Sequence, residues 1–222
     1  MASIKKADPK HRAKLLLNRY GKTFAQEIGI DVAANRRSEL FCWLIAALLF
    51  SARIGHTIAL KSARVLLDRG WTTPEKLAHV SWQERVTALD EGGYVRYDER
   101  TSTMLGQTAE LVIGRYRGDL RNLREAAAHD PARERKLLKD FRGIGDVGVN
   151  IFFREVQLVW PELFPFADER ILATAKNLGL PSNPNALAGV VRSRLDFVRL
   201  VSALVRVQLG HKEEELSGIV AA

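Results

Sequence analysis

Apolar residues recur at helical spacing through almost the whole chain, and this periodicity restricts the possible folds more than any other feature. In the first such stretch, residues 9–29, four of them lie on or near one helix face: Leu15, Leu16, Phe24 and Ile28. Glycine, proline and capping residues interrupt the pattern repeatedly, and no stretch has the alternating, β-branched composition of a strand. The sequence therefore predicts an all-α fold of many short helices that cross at varied angles.

The longest apolar run, residues 41–50, predicts a buried helix. Its ten residues are too few to cross a bilayer, and polar residues follow it. Ser38 has the hydroxyl that an N-cap needs, so we expect the helix to run from Ser38 to about Ala52. The run contains the only cysteine, Cys42, which excludes an intrachain disulfide and a multi-cysteine metal site.

The positive charge of the chain favours a polyanion or an anionic surface as its partner. There are 34 Lys and Arg against 26 Asp and Glu, and the pI is near 9.8. Residues 1–22 hold seven basic residues and one acid, Asp8. That segment either lies along a phosphate backbone or is a solvated, partly frayed start. The alternative that the excess charge serves only solubility remains open.

Two glycines in the stretch Phe141–Asn150 predict a tight turn between two helices. In Gly143-Ile144-Gly145 the turn leaves backbone N–H groups at a helix start, where peptide dipoles favour negative charge, so it can hold a phosphate. A Gly-x-Gly turn is also a common packing device, because glycine adopts positive φ without strain. After the aromatic loop 160–166, Asp168 opens a third helix as an ordinary N-cap, as a functional carboxylate, or as both.

The Gly-x-Gly turn and the aspartate after it make the chain resemble the helix-hairpin-helix DNA glycosylases of the endonuclease III-like superfamily. The resemblance rests first on Gly143-Ile144-Gly145 with Asp168 downstream, and it covers roughly residues 38–210. Three further segments carry it: the early buried helix Leu44–Arg53, the turn Gly92-Gly93-Tyr94 and the helix end Leu178-Gly179-Leu180.

The resemblance implies a two-lobed helical fold with a cleft between the lobes. Residues 38–155 would form a six-helix barrel lobe that includes the helix-hairpin-helix (about 131–158), and residues 1–37 with 160–222 would form the second, discontinuous lobe. The partner would be double-stranded DNA with a lesion, with the target base rotated out of the stack. The family implies a monomeric enzyme of base excision repair and no membrane. One cysteine and no signal peptide predict a cytoplasmic protein, nucleoid-associated if bacterial.

Two departures from the family change the expected chemistry. Bifunctional members have a nucleophilic lysine at the position that Val147 occupies here, and valine cannot form a Schiff base with the sugar. Many relatives also carry four C-terminal cysteines for an iron-sulfur cluster, which this chain lacks, so the cluster is excluded. We expect no metal bound by side chains. The family implies only Na⁺ or K⁺ at hairpin backbone carbonyls near Arg142 and Ile144.

The resemblance assigns roles to particular residues. Asp168 would be the catalytic carboxylate that stabilises an oxocarbenium-like state and activates water. The DNA-binding residues would be the hairpin N–H groups and a wedge for the gap left by the extruded base: Gly143, Gly145, Val147, Arg53 and His56. The base pocket would draw on four aromatic residues: Tyr94, Trp160, Phe164 and Phe166. A surface role for Arg53 and His56, and a core role for the aromatic residues, remain open.

Three functions are consistent with these residues. The first is a monofunctional DNA glycosylase that uses Asp168 and water to release a damaged or mismatched base. The second is a non-catalytic protein that binds bent or damaged DNA. The third is a bifunctional glycosylase and AP lyase in which Lys136, Lys139 or Lys176 replaces the missing amine. The preferred base is not predicted, because pocket shape depends on side chains distant in sequence.

Overall fold

A computed structural model describes residues 8–210 of the 222-residue chain, and all regular secondary structure in that range is helical. The all-α prediction is confirmed for these residues, none of which forms a β-strand. No helix among them combines the length and the apolarity needed to cross a membrane. Residues 1–7, with Lys5 and Lys6 of the basic segment, and residues 211–222, the end of the expected second lobe, lie outside the described part.

Thirteen α-helices follow one another along the described residues. They are α1 Pro9–Tyr20, α2 Phe24–Glu27, α3 Arg37–Ser51, α4 His56–Asp68, α5 Pro74–Ala78, α6 Trp82–Glu91, α7 Asp98–Tyr116, α8 Leu120–Ala126, α9 Pro131–Leu138, α10 Asp146–Val156, α11 Glu169–Asn177, α12 Pro184–Ala188 and α13 Arg194–Leu209. Single 3₁₀ turns lie at Val32–Ala34 and Pro161–Leu163.

The helices divide into two compact units. The larger unit is Ile28–Glu162, which contains α3 to α10. The smaller unit contains α1 and α2 from the start of the chain and α11 to α13 from its end, in residues 8–27 and 163–210. The smaller unit is therefore discontinuous in sequence.

Helix α3 supplies the core of the larger unit. All ten residues from Leu40 to Leu49 are buried, as expected for a helix that is apolar on every face and enclosed by others. Helices α4 and α10 pack against it, and the indole N–H of Trp43 donates to the carbonyl oxygen of Phe152 in α10 at 3.2 Å. The prediction of a buried helix in residues 41–50 is confirmed.

The start of α3 differs from the sequence prediction. The helix begins at Arg37 after Arg36 as N-cap, so Ser38 lies inside the first turn and caps nothing. Glu39 determines this start instead, because its carboxylate bonds back to the Arg36 guanidinium at 3.0 Å and accepts from the N–H of Asp31 at 2.8 Å. These bonds tie the preceding loop to the first turn.

In the smaller unit, α1 and α11 pack against α13 around one apolar cluster. The long first helix expected over residues 9–29 is interrupted at Gly21, which caps α1. A Cβ at Gly21 would collide with the carbonyl oxygen of Leu17, so this capping position requires glycine. Thr23 and Gln26 then start α2 with reciprocal side-chain to backbone bonds, both 3.2 Å long.

Candidate nucleic-acid interface

The turn between α9 and α10, residues 139–145, is packed on one side against the rest of the larger unit. Gly143 has φ +94°, and a Cβ there would lie 2.6 Å from the sulfur of Met104 in α7. The carbonyl oxygen of Gly143 accepts a hydrogen bond from the Ser51 hydroxyl at 3.3 Å. We call residues 139–145 the glycine turn. Glycine is favoured at Gly143 by its backbone conformation, and a larger residue there would also displace the Met104 side chain.

The other side of the glycine turn is open to solvent. Gly145 is the N-cap of α10, and no atom lies within 4 Å of the place that a Cβ would take. The N–H groups in the first turn of α10, including that of Val147, have no acceptor within the helix. They point from the positive end of the helix dipole, which favours an anion.

Val147 lies on this open side, and its side chain is 50% exposed. An exposed apolar side chain in the first turn of a helix contributes little to the core. Valine has no amine, so the position cannot act as a covalent nucleophile, as the sequence indicates.

Charges at the start of α10 are partly matched. The exposed carboxylate of Asp146 lies 2.7 Å from Lys139 Nζ and 3.5 Å from Arg135 Nη1. The hydrogen bond from Lys139, and then the charges of both cations, lower the pKa of Asp146. Arg135 also donates to Asn150 Oδ1 at 2.8 Å, which fixes the guanidinium between the two helices. Two cations therefore offset the one negative charge beside the open N–H groups.

A surface cavity of about 260 Å³ adjoins the glycine turn. Its lining comes from the end of α3, the start of α7 and the turn itself: Leu48, Ser51, Ala52, Arg53, Tyr97, Arg100, Thr101, Met104 and Gly143. Arg53 and Arg100 are exposed, and no acidic side chain of residues 8–210 pairs with either. Two cations without counter-charges therefore meet beside a turn with open N–H groups, and this arrangement attracts a phosphate.

Tyr97 is the aromatic residue that lines this cavity, and it is absent from the residues that the sequence predicts for a base pocket. Its ring is partly exposed, and the guanidinium of Arg96 lies 5.2 Å from the ring centroid. The turn at Gly92-Gly93, which pointed to Tyr94, could also have pointed to Tyr97, because Tyr97 follows Gly93 by four residues.

Tyr94 and Trp160 were expected in a base pocket, and the structure buries both rings, so neither is accessible to a base here. Neither side chain has exposed surface. Tyr94 donates its hydroxyl to the Leu49 carbonyl at 3.5 Å, and burial raises its pKa. Trp160 packs edge-on against Phe152, with ring centroids 5.7 Å apart. Both rings fill the core of the larger unit, and their assignment to a base pocket stays a prediction.

His56 begins α4 and is half-buried. Its ring stacks on that of Phe50 at the end of α3, with centroids 5.4 Å apart and 19° between the planes. It is not part of the lining of the cavity that contains Arg53. Of the two wedge candidates, only Arg53 therefore lines the cavity beside the glycine turn.

Asp168 lies in the smaller unit and caps α11. Its Oδ1 accepts from the N–H of Ile171 at 3.4 Å, and the side chain is half-buried. The N-cap prediction is confirmed, and the catalytic prediction stays a prediction. Phe164 and Phe166 are also half-buried in this unit, and Phe164 packs edge-on against Phe197 at 5.3 Å.

The three lysines considered as replacement nucleophiles have different surroundings. The amine of Lys139 is paired with Asp146, whereas Lys136 and Lys176 are exposed. No group of three or more His, Cys, Asp and Glu that could hold a metal occurs in residues 8–210.

The chain was also compared with known proteins. No protein-family model matches it, and no curated protein matches it at a significant level.

Proposed function

We propose that this protein is a monofunctional DNA glycosylase of base excision repair, with its two units as the lobes of a helix-hairpin-helix glycosylase fold. The observation that carries the proposal is the open face of the glycine turn beside the cavity with Arg53 and Arg100. Backbone N–H groups at a helix start and unpaired arginines both bind phosphate oxygens without reading sequence. The substrate is double-stranded DNA that carries a damaged or mismatched base.

Asp168 is the proposed catalytic residue. As the bond from the sugar C1′ to the base nitrogen breaks, the base leaves with the electron pair and positive charge develops on the sugar. A carboxylate stabilises that charge, and it accepts a proton from the water whose oxygen bonds to C1′. That proton then passes through solvent from Asp168 to the departing base, so the products are the free base and an abasic site and the carboxylate is regenerated.

A monovalent cation at the glycine turn belongs to the same proposal. The carbonyls of Phe141 and Gly143 accept bonds from Ile144 and Ser51, whereas no described group donates to those of Arg142 and Ile144. Two carbonyl oxygens without hydrogen bonds fit Na⁺ or K⁺, and such an ion would add positive charge beside a bound phosphate.

The test is incubation of the protein with a panel of duplexes, each with one lesion or mismatch, followed by heating in alkali. Strand breaks at the lesion that require the alkali support a monofunctional glycosylase. The Asp168→Asn variant is the control, since it should leave no breaks. If no duplex in the panel is cut, the proposed enzymatic function is wrong.

A non-catalytic protein that binds bent or damaged DNA is the second candidate. It is favoured by Val147 at the position of the catalytic amine and by the ordinary capping bond of Asp168. It predicts tight, lesion-dependent binding with no breaks in the same panel.

A relocated lysine is a third possibility with its own test. Reduction with borohydride during the reaction would trap a covalent adduct on Lys136 or Lys176. We expect no adduct, because both lysines are exposed to solvent, whereas a nucleophilic amine has to be desolvated.

A further inference from the structure

Positive charge is concentrated in the smaller unit, which does not contain the glycine turn. Its described residues hold eleven Lys and Arg against five Asp and Glu, whereas the larger unit holds twenty against eighteen. The smaller unit therefore has an excess of six positive charges, against two in the larger unit, although it contains only about half as many described residues. A polyanion is attracted most strongly to the unit that lacks the turn.

A cleft of about 650 Å³ in the smaller unit gathers part of this charge. It lies where the end of α1 and the turn at Gly21 meet α13. Four basic side chains line it, together with a single acid, Glu27: Arg19, Lys22, Arg199 and Arg206. Its lining differs from that of an apolar ligand pocket, in which a few polar groups orient a largely hydrophobic molecule.

Backbone carbonyls hold the two arginines of α13 in place. Arg199 Nε donates to the carbonyl oxygen of Gly21 at 2.7 Å, and Arg206 Nη1 donates to that of Tyr20 at 3.2 Å and also to that of Lys22. A carbonyl positions a guanidinium without neutralising it. The bend at Gly21 turns these carbonyls towards α13, so the arginines are ordered before any ligand binds.

Acidic side chains match only part of the charge. Glu27 lies 2.6 Å from Arg206 Nη2, and Asp196 lies 3.4 Å from Arg199 Nη1. Lys22 is exposed and has no acidic partner among residues 8–210. Lys22 therefore brings positive charge without an acidic counter-charge to an open cleft.

We infer that this cleft binds a phosphate group of a nucleic-acid strand, as a second contact in addition to the glycine turn. Fixed guanidinium groups suit phosphate because they offer parallel N–H donors at low entropic cost, and an exposed lysine adds a mobile charge. The inference rests on the proposed function for the identity of the strand as DNA. A free phosphate compound offers the same chemistry and is the competing source.

The test measures the affinity of undamaged duplex DNA by fluorescence anisotropy over a series of salt concentrations. The test variant is Lys22→Gln, and the matched control is Lys14→Gln, which removes one charge from an exposed position of α1 outside the cleft. Because Lys22 would contact phosphate, Lys22→Gln should weaken binding roughly three- to tenfold and reduce the salt slope by about one. Lys14→Gln should change affinity less than about twofold. Equal effects of the two variants would overturn the inference.

A second variant addresses the arginines. Arg199→Lys keeps the charge but loses the fork of donors, so affinity for duplex DNA should fall while the salt slope stays the same. Thermal unfolding of the variant shows whether the smaller unit is intact. Unchanged affinity in a folded Arg199→Lys protein would count against the assignment.

Two further arms separate the causes of failure. Val147→Asp places a negative charge at the open face of the glycine turn. If it weakens binding while Lys22→Gln does not, the cleft inference fails alone. If the wild-type protein does not bind DNA, the proposed function fails with it.

The second experiment uses inorganic phosphate and a mononucleotide as ligands. The contrary outcome is that these ligands raise the melting temperature of the wild type but not of Lys22→Gln, while both proteins bind duplex DNA equally well. In that case the cleft binds free phosphate compounds rather than a strand.

Discussion

Asp168 has a structural role that can be separated from its proposed chemistry by the choice of substitution. Its carboxylate accepts the N–H of Ile171 at the start of α11. Asparagine caps a helix about as well as aspartate, whereas alanine does not cap it and costs about 1 kcal/mol. Neither replacement can accept a proton from water or carry negative charge.

The Asp168→Asn protein should therefore be folded and inactive. We expect its free energy of unfolding to change by less than about 0.5 kcal/mol and its base release to fall at least ~100-fold, because only the carboxylate is lost. Asp168→Ala should be equally inactive and about 1 kcal/mol less stable. Urea denaturation and single-turnover base release measure the two quantities. If Asp168→Asn keeps both its stability and its activity while Asp168→Ala loses both, the role of Asp168 is capping alone.

Glu134 in α9 is a second residue whose environment predicts a measurable effect. Its side chain has no exposed surface, and both carboxylate oxygens lack a hydrogen-bond partner of normal geometry. Burial, and then the neighbouring charge of Glu162, raise the pKa of Glu134 to about 8. Glu162 itself is held ionised by Arg124, whose Nη2 lies 2.8 Å from its Oε2.

Stability should therefore depend on pH through Glu134. In the unfolded chain a glutamate loses its proton near pH 4.3, whereas in the folded protein Glu134 keeps its proton up to about pH 8. Between these values the folded state binds more protons, so the free energy of unfolding falls as pH rises, by at most about 1.4 kcal/mol per pH unit. It should level off above pH 8.

The Glu134→Gln variant should remove this dependence, because glutamine does not titrate. Urea denaturation at pH 5, 6, 7 and 8 gives the four free energies of unfolding for each protein. The wild type should lose stability over the series relative to the variant. Parallel curves would show that Glu134 is ionised in the folded protein at neutral pH.

At the scale of elements, the glycine turn uses its two glycines differently. Gly143 is packed, with positive φ and Met104 close to it, while Gly145 faces open solvent with φ −100°. The first therefore contributes to the fold, and the second leaves space for a ligand to approach the backbone.

Alanine at the two positions should give opposite results. Gly143→Ala should lower the free energy of unfolding by roughly 1–2 kcal/mol, because an L-residue is strained at that φ and its Cβ meets the Met104 sulfur. Gly145→Ala should leave stability almost unchanged but weaken binding of duplex DNA, because its methyl group obstructs the approach of a phosphate. Denaturation curves and anisotropy titrations on both variants test this. If Gly145→Ala binds DNA as the wild type does, the open face is not the contact.

For the whole molecule, the charge distribution predicts how binding responds to salt. Most of the excess charge belongs to the smaller unit, while the turn and its cavity belong to the larger one. If both units contact the same duplex, several counterions are released on binding. The affinity for undamaged duplex should then fall at least ~10-fold between 50 and 200 mM salt. Anisotropy titrations measure it, and an affinity independent of salt would contradict a backbone contact.

Local patterns in the sequence were sufficient for several features of the fold and the candidate site. Helical spacing predicted the all-α class and the buried run 41–50, and the capping rule placed Asp168 at a helix start. These features depend on residues within a few positions of one another. The break at Gly21 was missed because the apolar spacing continues across it, and Ser38 was wrong because a pair of charges, Arg36 and Glu39, organises that helix start.

The cavity beside the turn could not be predicted in the same way. Arg53 follows α3 and Tyr97 precedes α7, and only packing of these helices brings them beside Gly143. Tyr94 and Tyr97 have similar sequence surroundings, yet one ring is buried in the core and the other lines the cavity. Glu134 lies in a charged segment typical of a solvated face, and its burial became evident only in the structure.

The sequence by itself determined the helical class, the glycine turn, the absence of an amine at Val147 and the single cysteine, because each is a property of local residue types. The tertiary structure decided which charges lack partners, which aromatic rings are accessible and where open N–H groups lie beside a cavity. Those properties depend on solvent exposure and on contacts between residues far apart in the chain, and a pattern of neighbouring residues does not encode them.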